Sequence, residues 1–196
     1  MKSMLMILIL HSTLIFANAA GAALPHSESD LTPPPDNRCN LSAGSPVIDY
    51  GVQSRWQLQD VGGPQRVTPG KRSLVLSVLC PYKKAMRLSL HGQRADNGEL
   101  RYGERGSVTL RMLDAQLDGQ SVQIVTTTPD GVTRDSGQMG QLLLPGHSFS
   151  VVQNGHQVKG KSFTARIELE PVMPESAARV SVNQLSEANL TLELIN

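Results

Sequence analysis

The sequence predicts an all-β fold, and three observations carry that prediction. Apolar residues recur at every second position in successive short runs from Leu74 onward. Glycine, proline and asparagine turn signals separate those runs. No long stretch repeats its apolar residues every 3.6 positions, as an amphipathic helix would.

In chain order, Leu74, Leu76, Val78 and Cys80 share one face of a strand, with Ser73, Val75, Ser77 and Leu79 on the other. This points Cys80 into the core. Met86, Leu88 and Leu90 alternate with Arg87, Ser89 and His91, which predicts a neighbouring strand with a polar outer face. Val108, Leu110 and Met112 repeat the pattern, as do Val122 and Ile124. Phe163, Ala165, Ile167 and Leu169 alternate with Thr164, Arg166 and Glu168, and Leu190, Leu192 and Leu194 form the last run. Turns are expected at Gly62-Gly63-Pro64, Pro69-Gly70, Asp96-Asn97-Gly98, Asp118-Gly119, Pro129-Asp130-Gly131, Pro145-Gly146 and Asn154-Gly155. The best helical segment, Pro174 to Arg179, is barely one turn long. Together these predict an antiparallel sandwich or barrel.

The first residues have a different character. Lys2 is followed by a nearly apolar stretch from Met4 to Phe16, then by Ala17-Asn18-Ala19 and Ala20-Gly21-Ala22. A charged start, a short apolar core and small residues describe a secretory signal peptide, cleaved after residue 19 or as late as 22. The stretch is shorter than the about 20 residues a membrane span needs. Residues 20–38 contain Pro33, Pro34 and Pro35 and few apolar side chains, so they are expected to form a disordered or loosely held extension. Residues 39–196 then make one domain.

Losing the signal removes Lys2 and no acid, so the 18 basic and 17 acidic residues of the full chain become 17 and 17. A near-neutral domain is a poor partner for nucleic acid or an anionic membrane. In an exported chain, Cys39 and Cys80 have one intramolecular pairing available. Closing that loop of about 42 residues stabilises a fold by roughly 4 kcal/mol. Neither cysteine belongs to a C-x-x-C pair, which argues against redox or zinc chemistry.

Signatures of catalysis and of bound cofactors are not found. Gly70-Lys71-Arg72 lacks both the earlier glycine and the Ser or Thr of a phosphate-binding loop, so it reads as a turn feeding a strand. His26, His91, His147 and His156 lack metal-site spacing; His147 and His156 follow turn signals and read as exposed turn residues. There is no G-x-S-x-G elbow. Asn40-Leu-Ser42 and Asn189-Leu-Thr191 match the glycosylation sequon by coincidence. With 4% aromatic residues there is no aromatic platform for sugars, and Trp56 reads as a core or rim packing residue. A non-enzymatic protein without cofactor or metal is expected.

Four segments together resemble a chaperone–usher fimbrial (pilus) subunit. Cys39-Asn-Leu-Ser42 followed by Val47-Ile-Asp-Tyr-Gly51 is similar to the pilin pattern of a first-strand cysteine and an apolar-x-aromatic-Gly segment. Cys80 follows at the usual pilin spacing, and Gly160-Lys-Ser-Phe-Thr-Ala-Arg-Ile167 resembles the penultimate strand. The alternating end, Leu190 to Asn196, resembles the motif that such subunits present to their chaperone. The resemblance spans Cys39 to Asn196.

What the resemblance implies is an incomplete immunoglobulin-like sandwich, completed by a strand from another chain. A periplasmic chaperone would fill the groove first, and at an outer-membrane usher the extension of another fimbrial subunit would replace it. Leu190, Leu192 and Leu194 would line the groove, Asn196 would offer its terminal carboxylate to the chaperone, and Phe163, Ala165 and Ile167 would form nearby core. The product would be a cell-surface fimbrium with a role in adhesion. Two features depart from the family. Residues 20–38 offer only Leu24 and Leu31 as donor side chains, which fits a tip subunit or a divergent subfamily; and Ile195 stands where an aromatic is usual. The competing expectation is a complete, monomeric secreted β-sandwich acting as a binding or inhibitor module.

Overall fold

A computed structural model of the chain describes residues 37–63, 65–127, 133–135 and 140–195. The expected signal peptide, most of the proline-rich extension, the Pro129-Asp130-Gly131 turn and Asn196 lie outside the described residues.

The strands in chain order are β1 Asn40–Ala43, β2 Gln59–Asp60, β3 Arg66–Thr68, β4 Arg72–Ala85, β5 Arg87–Gly92, β6 Leu100–Tyr102, β7 Gly106–Leu117 and β8 Gln120–Ser121. They continue with β9 Gln123–Thr127, β10 Thr133–Asp135, β11 Gln141–Leu143, β12 Ser148–Gln153, β13 His156–Gln157, β14 Lys159–Pro174 and β15 Leu190–Leu194. A single 3₁₀ turn covers Arg55–Gln57. Helix α1 is four residues long, Glu175–Ala178, inside the one segment where the sequence offered a helical turn.

Every strand pair is antiparallel, and the strands form two sheets. In the first, β14 is central. It pairs with β4 from Lys159↔Ala85 to Leu169↔Arg72 and with β7 from Phe163↔Leu117 to Val172↔Ser107. Strand β3 continues the line of β4 past the Pro69-Gly70 kink and pairs with the end of β14. The margin beside β3 and β4 is covered in two pieces, by β2 on β3 and by β1 on β4. The second sheet runs β10-β9-β12-β5-β15.

The period-two pattern explains which side chains meet between the sheets. Leu76, Val78 and Cys80 of β4 are buried, while Val75 and Leu79 of the same strand face solvent. Phe163, Ala165 and Ile167 of β14 and Leu110 and Met112 of β7 meet Leu88 and Leu90 of β5 and Phe149 and Val151 of β12 in one core. At about 25 cal/mol per Å² of apolar area removed from water, this burial is the main stabilising contribution. The molecule is an all-β sandwich.

Strand β5 neighbours β4 in sequence but not in its sheet. The chain crosses between sheets at Met86, which is fully buried, so the boundary between the two alternating runs marks a corner rather than a hairpin. Two bulges interrupt the ladders of β14, with the extra residues on its partners β4 and β7. At one, the Asp118 carboxylate accepts the N–H groups of Lys161 and Ser162 at 2.9 and 2.8 Å. Those two backbone hydrogen bonds hold its carboxyl below the usual range. At the other, Asp114 has a positive φ of 53° and receives Arg166 Nε at 2.9 Å.

The disulfide joins Cys39 to Cys80 and so ties the start of β1 to the core-facing side of β4. Trp56 is corrected by the structure. It is 94% exposed on the 3₁₀ turn, where neither core nor rim covers it.

Candidate functional site

Strand β15 is the last of its sheet and pairs with β5 alone among the described residues, from Leu190↔Gly92 to Leu194↔Leu88. The phase of the ladder follows from one bond just beyond it, in which Ile195 N–H donates to Arg87 C=O at 2.8 Å. Backbone direction alternates along an antiparallel strand. Thr191 and Glu193 therefore turn their N–H and C=O groups toward β5, and Leu190, Leu192 and Leu194 turn theirs outward.

The side chains follow the same alternation. Leu192 and Leu194 are half-buried against the core, while Leu190 is 37% exposed. Thus the residues whose leucines seal this margin also present along it backbone groups that are unpaired among the described residues. A strand laid beside β15 would meet hydrogen-bonding groups and a partly covered apolar floor together.

Phe163, Ala165 and Ile167 lie elsewhere. They sit on β14, an interior strand of the opposite sheet, and are 0%, 3% and 3% exposed. Leu192 and Leu194 share a core with them, but these three are floor rather than rim.

The opposite margin is irregular. Between β1 and β2, residues 45–58 leave the sheet in a loop that exposes Val47, Val52 and Trp56. Tyr50 anchors this loop, with the Arg72 guanidinium 5.7 Å from its ring centroid. Burial pushes the Tyr50 phenol up to about 12, against the opposing charge of Arg72, and Tyr102 and Glu170 act in the same direction as burial. Residues 179–189, which lead into β15, expose Val180, Val182 and Leu185. They touch the corner after β6, where Gly103 N–H donates to Glu187 C=O at 2.9 Å and Ser186 packs on Gly103.

The remaining exposed large apolar side chains, Val75, Leu79 and Tyr82, lie on the outer face of β4. Among the described residues, the exposed large apolar side chains thus lie mostly in these two loop segments.

A Ser–His–Glu trio crosses β5 and β15, and sequence reading had not singled it out. Ser89 and His91 share a face at i and i+2, and Glu193 stands opposite Ser89. His91 Nε2 lies 2.5 Å from Ser89 Oγ and 3.5 Å from Glu193 Oε2. Both oxygens address the same ring nitrogen, so the imidazole is not placed to pass a proton between its two nitrogens as a triad requires. The trio is a polar clasp between β5 and β15, and Ser89, which alternation had assigned to the solvent face, is buried.

His156 is exposed in a tight hairpin, as expected, whereas His147 is half-buried, with its carbonyl accepting Leu90 N–H at 3.2 Å. Among the described residues, no group of three or more His, Cys, Asp or Glu is placed to hold a metal, and no helix is long and apolar enough to cross a membrane. Compared with known families and with curated proteins, the chain matches no family model and no individual sequence.

Proposed function

We propose that the chain is an exported subunit of a surface fimbria, an incomplete immunoglobulin-like sandwich whose missing strand is supplied by another protein. The observation that carries this reading is the outer edge of β15. Leu190, Leu192 and Leu194 present backbone groups there that no strand among the described residues pairs, and Leu192 and Leu194 reach the core from the same strand. The exposed apolar residues of segments 47–56 and 180–190 agree with a chain that meets partner proteins.

On this reading a periplasmic chaperone first occupies the edge with its own strand. At an outer-membrane usher the extension of another subunit replaces the chaperone. Main-chain hydrogen bonds provide affinity, and alternate side chains over the leucines fix register. The poor donor composition of residues 20–38 suits a subunit that receives a strand and donates weakly, as at a fibre tip.

The test is periplasmic expression with and without a chaperone of the chaperone–usher class encoded beside this chain's gene. The expected result is aggregation or degradation of the chain alone and rescue by the chaperone. A stable, monomeric chain that needs no chaperone overturns the proposal in favour of a complete sandwich.

A further inference from the structure

A second feature stands apart from the sheet edge. At the end of the sandwich where β3, β6 and β14 finish, a hollow of about 430 Å³ is rimmed by Arg66, Arg94, Arg101 and Arg105. The volume suits a small ligand. Arg94, Arg101 and Arg105 come from one stretch around β6 and Arg66 from the start of β3, so it is the fold that brings the fourth arginine to the other three.

Two of them are held from behind. Arg94 donates from Nε to Pro145 C=O at 2.9 Å, and its guanidinium packs against Gly146. Arg101 donates to Gly103 C=O and Glu104 C=O, each at 3.2 Å. Carbonyls fix these side chains without neutralising them. Among the described residues, none of the four guanidinium groups has a carboxylate within ion-pair distance, whereas Arg55, Arg166 and Arg179 all do. A neighbouring hollow makes the contrast clear: its Arg55 is already bound to Asp60 at 2.8 Å and to Glu175 at 2.9 Å.

The rest of the lining is polar but not uniformly basic. Asn97 and Ser107 are oriented by the Glu99 carboxylate, at 2.7 Å each. Asp96 and Glu104 add acceptors. Guanidinium forks match carboxylate and sulfate groups, and interleaved amide, hydroxyl and carboxylate groups match neutral hydroxyls. A nucleic-acid site would need a more uniformly basic surface than a chain of net charge +1 supplies.

We propose that this hollow binds an acidic saccharide, with Arg94 and Arg101 gripping its carboxylate or sulfate group. The site is independent of the strand-acceptor reading, since it would hold equally in a complete monomer.

The experiment is calorimetric titration of the full chain, purified alone or as its chaperone complex with the chaperone alone as a blank, with four probes: a heparin-derived sulfated hexasaccharide, an oligogalacturonate, a neutral dextran oligosaccharide and inorganic sulfate. A short single-stranded DNA serves as a polyanion control. Binding of the sulfated or the carboxylated saccharide is expected, and which of the two binds identifies the anionic group. R94Q and R101Q should each weaken it about tenfold, as loss of charge-assisted hydrogen bonds does. R94K should weaken it too, because an ammonium lacks the planar fork. R111Q, on the exposed face of β7, should leave it unchanged, and circular dichroism should confirm that all variants fold. Equal binding of neutral saccharide or DNA, binding of inorganic sulfate alone, unchanged affinity in R94Q and R101Q, or wild-type affinity in R94K would each overturn the proposal.

Discussion

Removing the disulfide should cost this domain a large part of its stability, and the structure says why. Strand β1 is four residues long, lies on the margin of its sheet, and buries only Leu41 in part. Its remaining attachment is the ladder to β4 and the bond from Cys39 to Cys80, which is 4% exposed in the core. Cutting that bond frees a loop of about 42 residues in the unfolded chain, which the chain-entropy treatment values at roughly 4 kcal/mol. In C39A/C80A the lost core sulfur adds about 1 kcal/mol. The sum, about 5 kcal/mol, rivals the whole stability of many domains. Urea unfolding is the assay. With a slope of about 2 kcal/mol/M, the midpoint should fall by roughly 2.5 M. A fall of less than about 0.5 M would refute the reasoning, since β1 would then be held by contacts other than the bridge.

Three further outcomes are expected. The Tyr50 hydroxyl is buried without a hydrogen-bond partner among the described residues, so Tyr50→Phe should leave stability unchanged or raise it by up to about 1 kcal/mol in thermal unfolding. Gly106→Ala should destabilise by at least about 2 kcal/mol in urea, because a Cβ there would stand 2.7 Å from Tyr102 C=O and 2.8 Å from Val172 C=O, and both are backbone. Glu99 gives a pH dependence: burial raises its carboxyl, but hydrogen bonds from Ser107, Thr109 and Asn97, with the charge of Arg66, outweigh burial and hold it below the usual range. A depressed folded value means stability that is present above the ordinary carboxylate range and lost as the pH falls through the folded value. Thermal midpoints measured down through pH 4 should therefore fall less steeply in Glu99→Gln than in the parent chain.

What the sequence disclosed depended on how local the determining physics was. Alternation depends on neighbours two apart, so it placed Leu76, Val78, Cys80, Phe163, Ala165 and Ile167 in the core. It also kept Val75 and Leu79 outside despite their apolar side chains. Alternation does not say which sheet a strand joins, and β4 and β5 therefore read as neighbours although the chain changes sheet at Met86. Trp56 was misplaced for a related reason. Its environment is decided by the excursion of residues 45–58 from the sheet, and no local pattern records that path. The arginine hollow was missed because Arg94, Arg101 and Arg105 form no contiguous basic run and only the fold brings Arg66 to them. Of the sheet-edge residues, Leu190, Leu192 and Leu194 were legible as a strand, but that the same residues turn their backbone outward required the ladder phase set by Ile195.

That ladder phase makes the strand-acceptor account directly measurable by hydrogen exchange at single amides. In the chain without a bound strand, the amides of Thr191 and Glu193, which face β5, should exchange slowly, and those of Leu190, Leu192 and Leu194 should exchange fast. When the chain is complexed with its chaperone or incorporated into a fibre, the three leucine amides should become as protected as their neighbours. Leucine amides already protected in the isolated chain, or unchanged on assembly, would contradict the account.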